Sequence, residues 1–154
     1  MTCPVCMRTH PAEAASSPRR WRCSVSLDCH CGTTAWFFVD FWTYGCYNCV
    51  NTLPHVVRLY DTYKDKGLIV IGVHTPEFAF EKSTDAVQAA IKRHGIRYPV
   101  AQDNEYATWN AYHNQYWPAQ YIIDQSGKIA FEHAGEGHYQ EIERKIQELL
   151  NFNS

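Results

Sequence analysis

Two cysteines three positions apart, Cys46 and Cys49, have the spacing in this chain that most directly predicts chemistry. They follow an apolar run over residues 35–42, typical of a buried strand, so the pair should lie at the start of a helix. A helix N-terminus presents unpaired N–H groups and partial positive charge, which should bring the pKa of the first thiol below its free value of roughly 8.5. The second thiol lies one turn further on, within reach of a disulfide bond. The pattern therefore predicts thiol–disulfide exchange, with Cys46 as the nucleophile and Cys49 as the resolving thiol.

A cysteine pair can also be half of a zinc site, but zinc normally takes four ligands and no second such pair accompanies this one in the same region. We therefore predict no metal and no cofactor at Cys46 and Cys49. The other five of the seven cysteines lie near the start of the chain, at Cys3, Cys6, Cys23, Cys29 and Cys31. With His10 they offer enough ligands for zinc, but their spacing is irregular, and cysteines of a loosely ordered segment fit better.

Composition limits the classes of protein to which the chain can belong. Its 154 residues, 45% apolar and 14% aromatic, suffice for one domain with a real core. A net charge of -2 predicts no nucleic-acid surface. We find no signal peptide, and no apolar run approaches the roughly 20 residues that span a bilayer.

The chain divides into two regions of different character. Residues 1–33 are rich in Cys, Arg, Ser and Pro without sustained apolar periodicity, and this composition predicts a poorly ordered segment. Residues 34–154 alternate between strand and helix patterns and are predicted to form one domain. The predicted strands are 36–41, 68–73, 98–100, 121–124 and 129–132. The predicted helices are 47–64, 84–94, 105–114 and 138–150.

The order of these elements, with four features in register, resembles thioredoxin. Asp-Phe-Trp at 40–42 precedes Cys46, Pro54 follows Cys49 by five residues where thioredoxins have a helix-kinking proline, and Pro118 precedes the terminal hairpin. Similarity to the TlpA/DipZ branch of extracytoplasmic thioredoxin-like proteins is carried by three segments, 39–44, 72–78 and 117–119. The resemblance implies an α/β thioredoxin fold with a central mixed sheet and helices on both faces.

The resemblance, which covers about 36–150, also implies roles for further residues. Asp40 matches a carboxylate that is buried beneath the second cysteine and helps to move its proton, and burial would raise its pKa. Pro118 is expected to follow a cis peptide bond, with its neighbouring backbone pairing with an extended substrate. The substrate is also expected to contact a rim of four aromatic residues, Trp42, Tyr44, Tyr47 and Trp117. The alternatives are a solvent-facing Asp, an ordinary trans proline and core aromatics, the last of which suits Trp42.

The sequence also supports predictions for three nearby positions. Gly45 replaces a Trp that is common in thioredoxins, which should open the approach to the sulfur. His74 and Glu77 fall in a predicted loop, 74–80, where we expect solvent-exposed side chains, although a role in substrate choice stays open.

The leading hypothesis is a thiol–disulfide oxidoreductase that reduces disulfides of protein substrates and is recharged by a membrane or thioredoxin-type electron donor. The resemblance implies an extracytoplasmic, periplasmic location, while the lack of a signal peptide keeps the cytoplasm open.

Two other functions remain as alternatives. A peroxiredoxin-like thiol peroxidase would use the Thr-x-x-Cys pattern of 43–46, but Val39 stands where that motif has proline, and a resolving cysteine three residues away is unusual. A non-enzymatic binding module of the same fold would retain full function after Cys46→Ser.

Overall fold

The computed structural model describes residues 35–151, so the predicted cysteine-rich segment over 1–33 lies outside the described residues. Five strands are present: β1 (Trp36–Trp42), β2 (Leu68–His74), β3 (Val100–Gln102), β4 (Ala119–Ile123) and β5 (Ile129–Ala134). Four α-helices are present: α1 (Tyr47–Tyr63), α2 (Thr84–Arg93), α3 (Ala107–Ala111) and α4 (Tyr139–Asn151). Short 3₁₀ turns lie at Lys64–Lys66 and Ala79–Lys82.

The strands form one mixed sheet in the order β3-β2-β1-β4-β5. β1 pairs in parallel with β2, and β2 with β3, whereas β4 is antiparallel to both β1 and β5. The apolar sequence of β1 follows from this position, since a central strand is covered on both faces. The arrangement confirms the predicted α/β fold with a central mixed sheet.

Side chains alternate between the two faces of β1, as they must in a strand. Phe38 and Trp42 join a cluster with residues of α1 and α4. Val39 and Phe41 join a second cluster that includes Trp109 of α3. Helices therefore cover both faces of the sheet, as predicted.

The third strand and the third helix differ from the prediction. β3 begins at Val100 rather than at residue 98, because Pro99 has no N–H to donate to a neighbouring strand. The carbonyl of Pro99 accepts a hydrogen bond from Gly72 N at 2.9 Å. The predicted helix over 105–114 shrinks to Ala107–Ala111, since Tyr106 adopts a left-handed φ of 59°. The Asp103 carboxylate instead caps the helix.

Among residues 35–151, no helix combines the length and the apolar character that a bilayer span requires.

Candidate active site

Cys46 and Cys49 are joined by a disulfide bond, with 5.2 Å between their Cα atoms. Cys46 is the N-cap of α1, with extended backbone angles, and its Sγ accepts a hydrogen bond from Cys49 N at 3.2 Å. The first turn of α1 contains no acidic residue to oppose negative charge there. The N-terminal sulfur therefore lies where the helix favours a thiolate.

The two sulfur-bearing residues differ in exposure. Cys46 is half-buried, whereas Cys49 is 1% exposed and belongs to the core cluster between sheet and helices. A reagent from solvent can therefore reach Cys46 first, and Cys49 only through it.

Asp40 is buried in the centre of the sheet, 1% exposed. It lies on β1 between Phe38 and Trp42, the alternate positions whose side chains join the cluster that contains Cys49. Burial raises the pKa of Asp40 to about 7, against an opposing effect of the hydrogen bond from Gln120 Nε2, 3.3 Å from Oδ1. A carboxyl group with this pKa can take or give a proton near neutrality.

Few other groups around Asp40 could stabilise a negative charge on its carboxyl group. Three buried polar atoms nearby have no hydrogen-bond partner among residues 35–151: Trp42 Nε1, Tyr98 Oη and Gln120 Oε1. Burial, and then the Asp40 charge, raise the pKa of Tyr98, which keeps its phenol neutral. On the neighbouring strand, Gly72 pairs with Asp40 and leaves room for two of these rings. A Cβ at Gly72 would lie 3.1 Å from Trp42 Nε1 and from Tyr98 Cε2.

The predicted aromatic rim is only partly present. Tyr47 is 78% exposed, and Tyr44 and Trp117 are half-buried. Trp42, in contrast, is fully buried beneath the site, which corrects its predicted place at the rim. The position of β1 explains this, because it is a central strand covered on both faces, and Trp42 packs in the same cluster as Phe38 and Cys49.

The bond between Trp117 and Pro118 is cis in the structure, and Pro118 is buried. Trp117 Nε1 donates to the carbonyl of Thr75 at 3.0 Å. The carbonyl of Pro118 accepts from Gly135 N at 2.8 Å. These bonds attach the segment before β4 to the loop after β2 and to the chain that follows β5.

His74 was expected as an exposed loop residue, and that expectation is wrong. It is the last residue of β2 and has no exposed surface, because the apolar run before it continues the strand by one position. Its Nε2 lies 3.2 Å from Thr43 Oγ1, and its ring stacks on Tyr44 with 5.5 Å between centroids. Burial lowers the pKa of His74, which favours neutral imidazole. Glu77 is exposed, as expected.

A second buried carboxylate, Glu81, lies beside the cysteine pair, and sequence reasoning missed it. It is fully buried, and its Oε1 accepts from Gly45 N at 2.9 Å. The space freed by the absence of a side chain at Gly45 is therefore occupied by this carboxylate, which corrects the expectation that it opens an approach to the sulfur. A Cβ there would overlap Oε1 and lie 3.2 Å from Glu81 Cδ.

The burial of two polar residues near the site had a signal in the sequence. Gln120 is the one polar residue in the buried strand Ala119–Ile123, and His74 directly extends the apolar run of β2. Glu81 had none, because its partners belong to a segment 36 residues away and to the backbone of its own loop.

Residues that could hold a metal do not gather in the part of the chain that the structure describes. No group of three or more His, Cys, Asp or Glu side chains there has the arrangement of a metal site. The possible zinc ligands His10 and Cys3 to Cys31 fall outside the described residues.

Comparison with known proteins gives a family match: the model of the AhpC/TSA family matches residues 3–132. The chain is similar to Protein DipZ of Mycobacterium bovis, with 52% identity over 113 residues, which are 73% of this chain and 16% of that protein. It is also similar to the thiol–disulfide oxidoreductase YkuV of Bacillus subtilis, with 28% identity over 112 residues, 73% of this chain and 75% of that one. The chain thus spans about a sixth of the length of its DipZ relatives.

Solved structures share the fold. A thiol–disulfide isomerase from Corynebacterium glutamicum superposes with a TM-score of 0.70 at 23% identity, over 76% of this chain and 81% of that chain. A secreted disulfide oxidoreductase of Mycobacterium tuberculosis superposes with a TM-score of 0.64 at 15% identity, over 75% of this chain and 82% of that chain. Together with the DipZ relatives, these structures confirm the resemblance to thioredoxin-like proteins.

Proposed function

Because the chain belongs to the AhpC/TSA family, we propose that it is a thiol–disulfide oxidoreductase that acts on disulfides of protein substrates through Cys46 and Cys49. One observation carries the proposal: a reachable sulfur at a helix N-terminus is bonded to a buried sulfur, in a domain with a buried carboxyl group of raised pKa. Relatives that bear the name thiol–disulfide oxidoreductase support the same class of reaction.

The first step is attack by the thiolate of Cys46 on a substrate disulfide. A new S–S bond forms between Cys46 and one substrate sulfur, the substrate S–S bond breaks, and the other substrate sulfur leaves as a thiolate that takes a proton from water. The N-terminus of α1 stabilises the attacking thiolate, and the half-buried position of Cys46 admits the substrate.

The second step releases the reduced substrate. Cys49 loses its proton, attacks Cys46 Sγ and displaces the remaining substrate sulfur, which leaves the Cys46–Cys49 disulfide found in the structure. Two electrons have then passed from protein to substrate. We propose that Asp40 accepts the proton of Cys49, because a pKa of about 7 lets it be ionised before the step and protonated after it.

Substrate binding is assigned to the surface around Cys46. The exposed Tyr47 follows Cys46 in the chain, and the half-buried Tyr44 and Trp117 pack against the same core cluster as Cys46, so these rings offer apolar area to a substrate. The carbonyl of Pro118 is already bonded to Gly135 N, so we assign pairing with an extended substrate to the backbone of Trp117 on the other side of the cis bond.

We propose that the protein works as a reductant in an extracytoplasmic compartment, recharged by a dithiol donor of the membrane or thioredoxin type. A secreted protein of the same fold supports the location. The resemblance to the TlpA/DipZ branch supports the direction, and Asp40, with a pKa of about 7, can accept the Cys49 proton when the protein acts as a reductant.

The peroxidase alternative is disfavoured by the position of Thr43. Its hydroxyl is buried and lies 3.2 Å from His74 Nε2, which gives the Thr-x-x-Cys hydroxyl a partner other than Cys46. The resolving cysteine is also already bonded within the same helix turn.

The experiment uses prereduced protein at equal concentration with either a disulfide-containing protein, such as insulin, or hydrogen peroxide. We expect loss of two protein thiols and gain of two substrate thiols with insulin, and slow consumption of peroxide. Fast peroxide consumption with little insulin reduction would replace the proposal with the peroxidase alternative. If the protein reacts with neither insulin nor peroxide, the non-enzymatic binding module is the remaining alternative.

A further inference from the structure

We propose that Glu81 is a positioning residue for Cys46: its buried carboxylate bonds the turn before the nucleophile to the loop after β2 and so holds the sulfur at the N-terminus of α1. The proposal rests on the proposed function, in that Cys46 is the nucleophile.

The contacts of Glu81 are all to backbone N–H groups. Oε1 accepts from Gly45 N at 2.9 Å, and Oε2 accepts from Glu77 N at 2.6 Å and from Phe78 N at 3.0 Å. No cation in residues 35–151 forms an ion pair with it. A carboxylate is expensive to bury unless donors satisfy its oxygens, and bonds to a charged acceptor are the stronger kind. The burial of Glu81 therefore depends on keeping these three amides in place.

The absence of a side chain at Gly45 leaves the space that this contact requires. A Cβ at that position would overlap Oε1 of Glu81, whose other oxygen is fixed by two further bonds. Gly45 does not have a positive φ, so the backbone itself would accept alanine. The side chain is excluded by the carboxylate alone.

The other residues of the turn also contact the end of β2 and the loop that follows it. Thr43 Oγ1 lies 3.2 Å from His74 Nε2, and Tyr44 Oη donates to the carbonyl of Phe80 at 2.9 Å. Three consecutive residues before Cys46 thus each have a partner between positions 74 and 81. Glu81 is the charged member of this set and contacts the residue adjacent to the nucleophile.

These bonds matter most when the disulfide is open. In the oxidised protein the bond to Cys49 helps fix the Cys46 sulfur. In the reduced protein its place relative to α1 depends on the turn, and the helix stabilises a thiolate only within its first turn. Loss of the Glu81 contact should therefore reduce the thiolate fraction of Cys46.

A purely electrostatic role for Glu81 predicts the opposite sign. Removing a negative charge close to Cys46 would favour the thiolate and increase its reactivity. The sign of the change therefore separates positioning from charge.

The test measures alkylation of Cys46 by iodoacetamide against pH, followed by peptide mass spectrometry, in a Cys49→Ser background. We expect Glu81→Ala to slow alkylation at pH 7 about threefold, because the helix-terminus contribution is lost. Gly45→Ala should act in the same direction, and the double variant should be no slower than the slower single one, since both remove one contact. Glu77→Ala is the matched control, because it removes an exposed acid from the same loop, and it should leave the rate unchanged.

Faster alkylation in Glu81→Ala would overturn the proposal in favour of a charge effect, and an unchanged rate would overturn it outright. Additive slowing in the double variant would also contradict it. If Glu81→Ala does not fold, Gly45→Ala is read alone, with the same threefold expectation and the same overturning results. Alkylation needs no protein substrate, so failure of the proposed function, seen as no insulin reduction by the unaltered protein, is distinguishable from failure here.

Discussion

Gln120 of β4 donates its side-chain amide to Asp40 of β1, with 3.3 Å between Nε2 and Oδ1, from a position directly opposite it in the antiparallel ladder. Gln120 is thus the side-chain hydrogen-bond partner of a carboxyl group that is 1% exposed. One amide does not offset burial, so the pKa of Asp40 rises from 3.8 to about 7.

The first prediction is that Asp40 makes the folded protein less stable as pH rises. The folded state holds the proton up to about pH 7 whereas the unfolded chain releases it near 3.8, so the contribution of Asp40 to stability is present below pH 4 and is lost between pH 4 and pH 7. The loss amounts to roughly 4 kcal/mol at full ionisation. Asp40→Asn should therefore match the unaltered oxidised protein near pH 4 and exceed it in the free energy of unfolding by up to about 4 kcal/mol at pH 8.

Urea unfolding at both pH values measures this difference. Asp65→Asn is the control, because it neutralises an exposed acid and should show no such growth with pH. If the stability difference of Asp40→Asn stays flat from pH 4 to pH 8, the buried carboxyl group does not titrate as described.

A second prediction concerns Gln120, whose bond lowers the pKa of Asp40 against the effect of burial. Gln120→Leu removes that bond and keeps the core apolar, so it should raise the pKa of Asp40 above about 7. Carbon-detected NMR of the Asp40 carboxyl group during a pH titration measures it. A lower pKa in this variant would show that other groups stabilise the charge.

The sequence predicted the parts of the site that depend on local order. Cys46, Cys49 and Asp40 lie on one strand and the following helix turn, so spacing along the chain determines their arrangement. The buried strands and the alternation of β1 likewise follow from apolar pattern.

What the sequence did not predict depends on contacts between distant segments. Glu81 accepts a hydrogen bond from Gly45, 36 positions earlier in the chain, and no periodicity of the sequence indicates such a pairing. The short length of α3 was not predicted, because the Asp103 carboxylate accepts from Thr108 N and Trp109 N at 3.0 and 2.9 Å, which starts the helix later than its composition suggests. The burial of Trp42 follows from the place of β1 at the centre of a sheet that is covered on both faces.

The third prediction separates the two cysteines. Cys49→Ser should accumulate a mixed disulfide between Cys46 and a protein substrate, because the buried resolving sulfur is missing, whereas Cys46→Ser should form none. Turnover with insulin should fall by more than about 100-fold in both. Non-reducing electrophoresis and mass spectrometry detect the adduct. An adduct that forms through Cys49 would reverse the assigned roles.

A fourth prediction tests the fit of Gly72 between two rings. Gly72→Ala adds a Cβ 3.1 Å from Trp42 Nε1 and from Tyr98 Cε2, and 3.3 Å from Val100 Cγ2. Such overpacking should lower the free energy of unfolding by about 1–3 kcal/mol. Denaturant unfolding measures this, and a variant as stable as the unaltered protein would show that the rings can move apart.

The fifth prediction addresses substrate contact by Tyr47, which is 78% exposed and lies between the two cysteines. Tyr47→Ala should raise KM for a protein disulfide several-fold, about the effect of losing one aromatic contact of 1 kcal/mol. Its rate with a small aromatic-free disulfide such as oxidised glutathione, and its unfolding midpoint, should stay unchanged. Equal losses with both substrates would place Tyr47 in the chemistry and not in recognition.

The bond from Gly45 to Glu81 has a consequence for biosynthesis. The chain is made from its N-terminus, so the reactive pair leaves the ribosome before the residue that completes its turn, which follows Gly45 by 36 positions. At about 5–20 residues per second, that interval lasts roughly 2 to 7 s. During this interval the turn before Cys46 lacks its carboxylate partner, and the nascent protein completes that turn only after β2 and the loop that follows it have emerged.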